Sequence, residues 1–259
     1  MKKAIILIHG FMTDPTDFDP IMDDLRAHYD YVRRFKLPGH GKDANHKLFT
    51  KEATMKYVEQ EFDKVAKKYD YIDVMGFSMG GALGTYLSNI RTFNKLVLLA
   101  PANKYVSPFA GFRRVMQVAQ IVKDEFKINE KKLTKIEKEH LSILNNTIKD
   151  AVTRDAKMFK FAIDEVLPRY THTAIYHFVR TIKACNKALS KIKNPTLIVW
   201  GYLDEVVPKS AATYDYERCI HPNRKLVILE NMGHMMFRSE NIGELKEVVL
   251  NFLTKGDSE

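Results

Sequence analysis

The chain has 259 residues, 45% of them apolar, which is enough for a sizeable buried core and argues against a disordered chain. Its 41 Lys and Arg against 32 Asp and Glu leave a net charge of +9, yet the lysines are interleaved with acids, as in KINEKKLTKIEKEH from Lys127 to His140. Such mixing reads as solvated helix faces, and with no nucleic-acid-binding motif present it argues against a nucleic-acid partner.

The two cysteines, Cys185 and Cys219, are too far apart for a CxxC site and too few for a disulfide framework, so a reducing, cytoplasmic setting is expected. The start MKKAIILIHG imitates a signal peptide, but Ala4–Ile8 is shorter than such a hydrophobic region and runs into His9-Gly10. No apolar stretch approaches the roughly 20 residues of a membrane-spanning helix, so no stable membrane insertion is expected.

In chain order, short β-branched runs at Ala4–Ile8, Tyr31–Phe35, Ile72–Met75, Lys95–Leu99, Thr196–Trp200 and Lys225–Leu229 predict strands. Between them, helical patterns cover Phe18–His28, Lys51–Lys68, Ala82–Arg91, a weaker segment after Pro208, and Glu240–Phe252. Near-continuous apolar strands alternating with helices predict an α/β fold, a mostly parallel sheet of about six strands with helices on both faces. Residues 102–193 interrupt the alternation. Amphipathic helices at Phe112–Val122, Glu130–Asn145, Ala151–Val166 and Thr171–Ile192 fit there, so residues 1–101 and 194–259 are read as the core and 102–193 as a helical lid.

The most specific motif is Gly76-Phe77-Ser78-Met79-Gly80, a G-x-S-x-G sequence between the strand-like YIDVM and the helix-compatible GALGTYLSNI. A sharp strand-to-helix turn exposes the serine hydroxyl, and the glycines remove Cβ atoms that would collide. Serine is a poor nucleophile at neutral pH unless a base takes its proton. Of nine histidines, His234 stands on a loop after a strand, at the same carboxyl edge of the sheet as Ser78. His172 and His177 are five apart, the wrong spacing for a two-histidine metal face, and no metal site is expected. Asp204 also follows a strand and is the expected acid that orients His234, with Glu205 and Glu230 as rivals. The backbone N–H groups of Phe11 and Met79 are the expected oxyanion donors. Met12 and Met235 are candidate lining for an acyl pocket, and Met79, Met236 and Phe237 serve either there or in the core.

LIHGF at the front, LPGHG at Leu37–Gly41, GFSMGG at the elbow, GYLDEVVP and NMGH together resemble the α/β-hydrolase superfamily, and so does the order Ser78, Asp204, His234. Within it, the chain looks like small bacterial carboxylesterases and monoacylglycerol lipases. That resemblance implies cofactor-free hydrolysis of small carboxylic esters, a lid over the site, and a structural role for His40. Dehalogenases and many epoxide hydrolases of similar fold carry aspartate where this chain has Ser78. The alternatives are a carbon–carbon bond hydrolase or thioesterase using the same three residues, or a ligand-binding member without turnover.

Overall fold

The computed structural model describes residues 2–41, 45, 48–103 and 172–255. Six strands form one sheet: β1 (Lys3–Ile8), β2 (Tyr31–Arg34), β3 (Tyr71–Phe77), β4 (Leu96–Leu99), β5 (Thr196–Gly201) and β6 (Arg224–Leu229). They lie in the order β2-β1-β3-β4-β5-β6, every neighbouring pair parallel. Each matches an expected strand to within a few residues.

Alternation along the strands sorts the core into two layers, because successive side chains leave a strand on opposite faces. Ile6, Ile8, Val74, Leu96, Leu98, Ile198 and Trp200 point to one face. There they meet α2 (Lys51–Ala66), α3 (Met79–Ile90), α4 (His172–Ala188) and α5 (Lys209–Arg218). Ile5, Leu7, Met75, Phe77, Val97, Leu99, Leu197 and Val199 point to the other, under α1 (Met22–Arg26) and α6 (Ile242–Thr254). Each fully buried aliphatic side chain contributes about 1.5–3 kcal/mol.

The helix expected over Phe18–His28 is split. A 3₁₀ segment spans Pro15–Ile21 before α1, with Pro20 inside it, and a proline cannot donate to a continuous α-helical ladder. α3 starts three residues earlier than its apolar pattern, directly at the elbow. Lys95, buried despite its charge, donates from Nζ to the carbonyls of Phe252 and Leu253 at 3.2 Å each and of Lys255 at 2.5 Å, satisfying the C-terminal end of α6.

The helix expected over Thr171–Ile192 is α4. Its Ala174, Phe178, Ile182 and Cys185 are buried in the same layer as α2 and α3, so from Ala174 onward the segment read as lid packs against these two helices. The other three expected lid helices lie outside the described residues. Among the described residues no helix is long and apolar enough to cross a membrane.

Candidate active site

Ser78 sits between β3 and α3 with φ 54° and ψ −116°, a conformation that costs a non-glycine residue about 1–3 kcal/mol unless its surroundings hold it. They do. Its N–H donates to the Leu99 carbonyl at 2.8 Å, and its own carbonyl accepts from Gly81, Ala82 and Ala102 N–H at 2.9, 3.3 and 3.1 Å. The turn closes so tightly that a Cβ on Gly76 would lie 2.2 Å from the Gly80 carbonyl oxygen, and one on Gly80 would lie 1.9 Å from that of Ile8. Both positions therefore require glycine.

The parallel sheet brings the carboxyl ends of β3, β5 and β6 to one edge. His234, on the loop after β6, lies with Nε2 3.1 Å from Ser78 Oγ and Nδ1 2.8 Å from Asp204 Oδ2. Asp204, on the loop after β5, accepts the N–H groups of Val206 and Val207 on its other oxygen, Oδ1, at 2.8 Å each. A carboxylate only accepts, so Nδ1 of His234 carries the proton and donates, which leaves Nε2 to accept the Ser78 hydroxyl. Ser78, Asp204 and His234 are 8%, 8% and 9% exposed, so these contacts form where water screens little. Glu205 and Glu230, the rival acids, are exposed on the surface.

Met79 opens α3 immediately after Ser78, and the first N–H groups of a helix have no partner within its ladder. Phe11 follows β1. Its ring stacks on Phe178 of α4, with centroids 4.6 Å apart, and lies 5.3 Å from Phe49. Met12 is half-buried with φ 64°, and half-buried Met235 packs against the layer under α6. Met79, Met236 and Phe237 are buried in the core, with Phe237 edge-on to Phe18 and Phe77. His40 donates from Nδ1 to the Pro38 carbonyl at 2.9 Å and meets the rings of His9 and Phe49 edge-on. His177 faces the start of α2, where its Nδ1 accepts the Lys51 N–H at 3.4 Å.

Three features escaped the sequence. Phe178 reaches the Phe11 loop from a segment that matched no motif, and no signal marked it. Arg238 pairs with buried Asp17 at 3.2 Å, joining the loop after β6 to the 3₁₀ segment after β1. Burial pushes the Asp17 carboxyl up, and Arg238 opposes this. His9 is fully buried between two backbone groups. Burial, reinforced by neighbouring His40, pushes its pKa down to about 3, so it is neutral. Among the described residues no group of three or more His, Cys, Asp or Glu is arranged to hold a metal ion.

The sequence profile of the S33 serine aminopeptidase family matches residues 1–241. The chain belongs to this family. It is a member of the α/β-hydrolase superfamily, and the fold agrees with that of known members. A curated relative, the 2-hydroxy-6-oxononadienedioate/2-hydroxy-6-oxononatrienedioate hydrolase 2 of Pseudomonas putida, is 28% identical over 193 residues. The match covers 70% of this chain and 62% of that protein, so the chain spans less than two thirds of the relative's length. Among solved structures, one from the metagenome-derived lipolytic enzymes LipS and LipT superposes with a TM-score of 0.67 at 18% identity, covering 98% of this chain and 94% of that one. The monoacylglycerol lipase of Paleococcus ferrophilus superposes at 0.64 and 17% identity, covering 96% and 93%.

Proposed function

We propose that this family member is a serine hydrolase of carboxylic esters with short to medium acyl chains. The observation that carries the reading is the relay Asp204–His234–Ser78, with contacts of 2.8 and 3.1 Å, built on a strained elbow. Ser78 Oγ attacks the ester carbonyl carbon as His234 Nε2 takes its proton. The oxyanion is held by the N–H groups of Phe11 and Met79. Collapse of the tetrahedral intermediate expels the alcohol, protonated by His234, and leaves an acyl group on Ser78. Water then attacks the acyl carbonyl with His234 as base, and the carboxylic acid departs. Asp204 keeps Nδ1 protonated and stabilises the imidazolium that forms twice in each cycle. Half-buried Met12 and Met235 are suited to line an apolar acyl pocket. The two buried free thiols, Cys185 and Cys219, accord with a reducing, cytoplasmic setting.

A second reading, cleavage of a carbon–carbon bond next to a ketone, is favoured by the relationship to the Pseudomonas putida hydrolase and needs the same three side chains. The experiment offers p-nitrophenyl esters from acetate to decanoate, a thioester and a 2-hydroxy-6-oxodienoate to wild type and to Ser78→Ala, with a fluorophosphonate label as control. Ester turnover and labelling at Ser78, both abolished in Ser78→Ala, are expected. Fastest turnover of the oxodienoate would select the second reading, and an unlabelled Ser78 with equal rates in both proteins would end the serine-hydrolase proposal.

A further inference from the structure

The loop after β1 contains two polar side chains that the reaction above does not use, His9 and Thr13, both buried at 0% and 7% exposure. They converge on one atom, the carbonyl oxygen of Gly10. His9 Nδ1 lies 2.8 Å from it and Thr13 Oγ1 donates to it at 3.1 Å. The tautomer of His9 is fixed independently, because the Leu37 N–H, which can only donate, points at Nε2 from 3.0 Å. Nδ1 therefore bears the proton, and the Gly10 carbonyl accepts two hydrogen bonds.

That carbonyl belongs to the same peptide unit as the N–H of Phe11. The peptide is trans, and a trans peptide is planar with its C=O and N–H on opposite edges. Fixing the oxygen on one edge fixes the direction of the hydrogen on the other. Gly10 lies against the nucleophile, since a Cβ placed on it would be 3.1 Å from Ser78 Cβ, so the plane held in this way borders the reacting centre. Two donors on the oxygen also polarise the amide and strengthen its N–H as a donor.

We propose that His9 and Thr13 are positioning residues that aim the Phe11 N–H at the oxyanion by clamping the Gly10 carbonyl, with Leu37 holding His9 in the required tautomer. The proposal rests on the reading of Phe11 as an oxyanion donor. It also explains a histidine kept neutral beside the site: the ring serves as a fixed two-ended brace between the β1 loop and the loop at Leu37, and takes no part in proton transfer.

Thr13→Val keeps the shape and removes the hydroxyl, and Thr13→Ser returns it. His9→Asn retains a nitrogen donor near the Nδ1 position, whereas His9→Gln places its amide near Nε2 instead. Losing an oxyanion donor outright lowers rate by roughly 100- to 1000-fold, so misaiming one is expected to lower kcat on p-nitrophenyl butyrate by about tenfold in Thr13→Val and about 100-fold in His9→Gln. KM should stay within about twofold, because the hole is filled only in the transition state. The affinity of an alkyl boronic acid, whose tetrahedral adduct on Ser78 places an oxygen in the hole, should weaken by the same factors as kcat. Thr13→Ser and His9→Asn should recover most of both, with melting temperatures recorded for all four variants. Wild-type kcat and boronate affinity in folded Thr13→Val, a rise in KM in place of a fall in kcat, or no recovery in Thr13→Ser would each overturn the clamp. Fluorophosphonate labelling separates the two levels. If wild-type Ser78 is not labelled, the reading of the site fails and the clamp with it; if wild type and Thr13→Val are labelled at one rate, the clamp alone fails.

Discussion

Replacing Asp204 by asparagine isolates what the buried acid does, because the change removes a charge and leaves the shape. In the native site one oxygen accepts the N–H groups of Val206 and Val207 at 2.8 Å each, and the other faces His234 Nδ1 at 2.8 Å. The asparagine oxygen will keep the two backbone donors. The reverse orientation would set an NH2 against two N–H groups and forfeit both bonds, at about 1–3 kcal/mol for each buried group left unsatisfied. The amide nitrogen therefore faces Nδ1, which must then act as acceptor, and the imidazole proton moves to Nε2. That nitrogen can no longer accept from Ser78 Oγ. In serine proteases the wrong tautomer lowers kcat about 10⁴-fold, or about 5.4 kcal/mol at 1.36 kcal/mol per decade, and the same loss is expected here. Steady-state hydrolysis of p-nitrophenyl butyrate and the rate of fluorophosphonate labelling measure it, with KM and the melting temperature nearly unchanged. A variant retaining a tenth of wild-type kcat would refute the tautomer argument and return the acid's role to Glu205 or Glu230.

Gly80→Ala sets a Cβ 1.9 Å from the Ile8 carbonyl oxygen and 2.7 Å from that of His9, both backbone atoms, so β1 and α3 must separate; urea unfolding should show a loss of at least about 3 kcal/mol, and unchanged stability would contradict the packing of the elbow. Asp215 on α5 is fully buried, and neither carboxylate oxygen has a hydrogen-bond partner among the described residues. Burial pushes its pKa well above the usual carboxylate range, with Arg218 opposing. The unfolded chain then releases this proton at lower pH than the native chain does, so stability falls as pH rises above about 4, by up to roughly 1.4 kcal/mol per pH unit until the native group ionises. Asp215→Asn removes that slope, and its advantage over wild type in urea unfolding should widen from pH 5 to pH 8; parallel profiles would show that Asp215 is ionised in the native protein.

The elbow was legible because its constraints are local. A glycine two residues on either side of a serine, between a β-branched run and a helical pattern, states the turn and the exposed hydroxyl without reference to the rest of the chain. The same holds for the four inner strands, β1, β3, β4 and β5, whose apolar runs follow from burial on both faces; the edge strands β2 and β6 are only partly buried. The apolar spacing over Phe18–His28 predicts one helix, but Pro20 cannot donate to its ladder, so Phe18–Ile21 belong to the 3₁₀ segment and the α-helix begins only at Met22.

The partners of Ser78 were a different matter. His234 is 156 residues from Ser78 and 30 from Asp204, and nothing in the chain's spacing distinguishes Asp204 from its neighbour Glu205. The strand order β2-β1-β3-β4-β5-β6 and the parallel register decide it, by bringing the loops after β3, β5 and β6 to one edge and turning Asp204 inward while Glu205 stays in solvent. The stack of Phe178 on Phe11 and the two donors on the Gly10 carbonyl belong to the same class. Turn geometry and burial period act over a few residues, so the residue types at the ends of strands can be read from the chain alone. Which of those ends meet is set by the assembled sheet, because hydrogen bonds a few ångströms long depend on how every strand is placed.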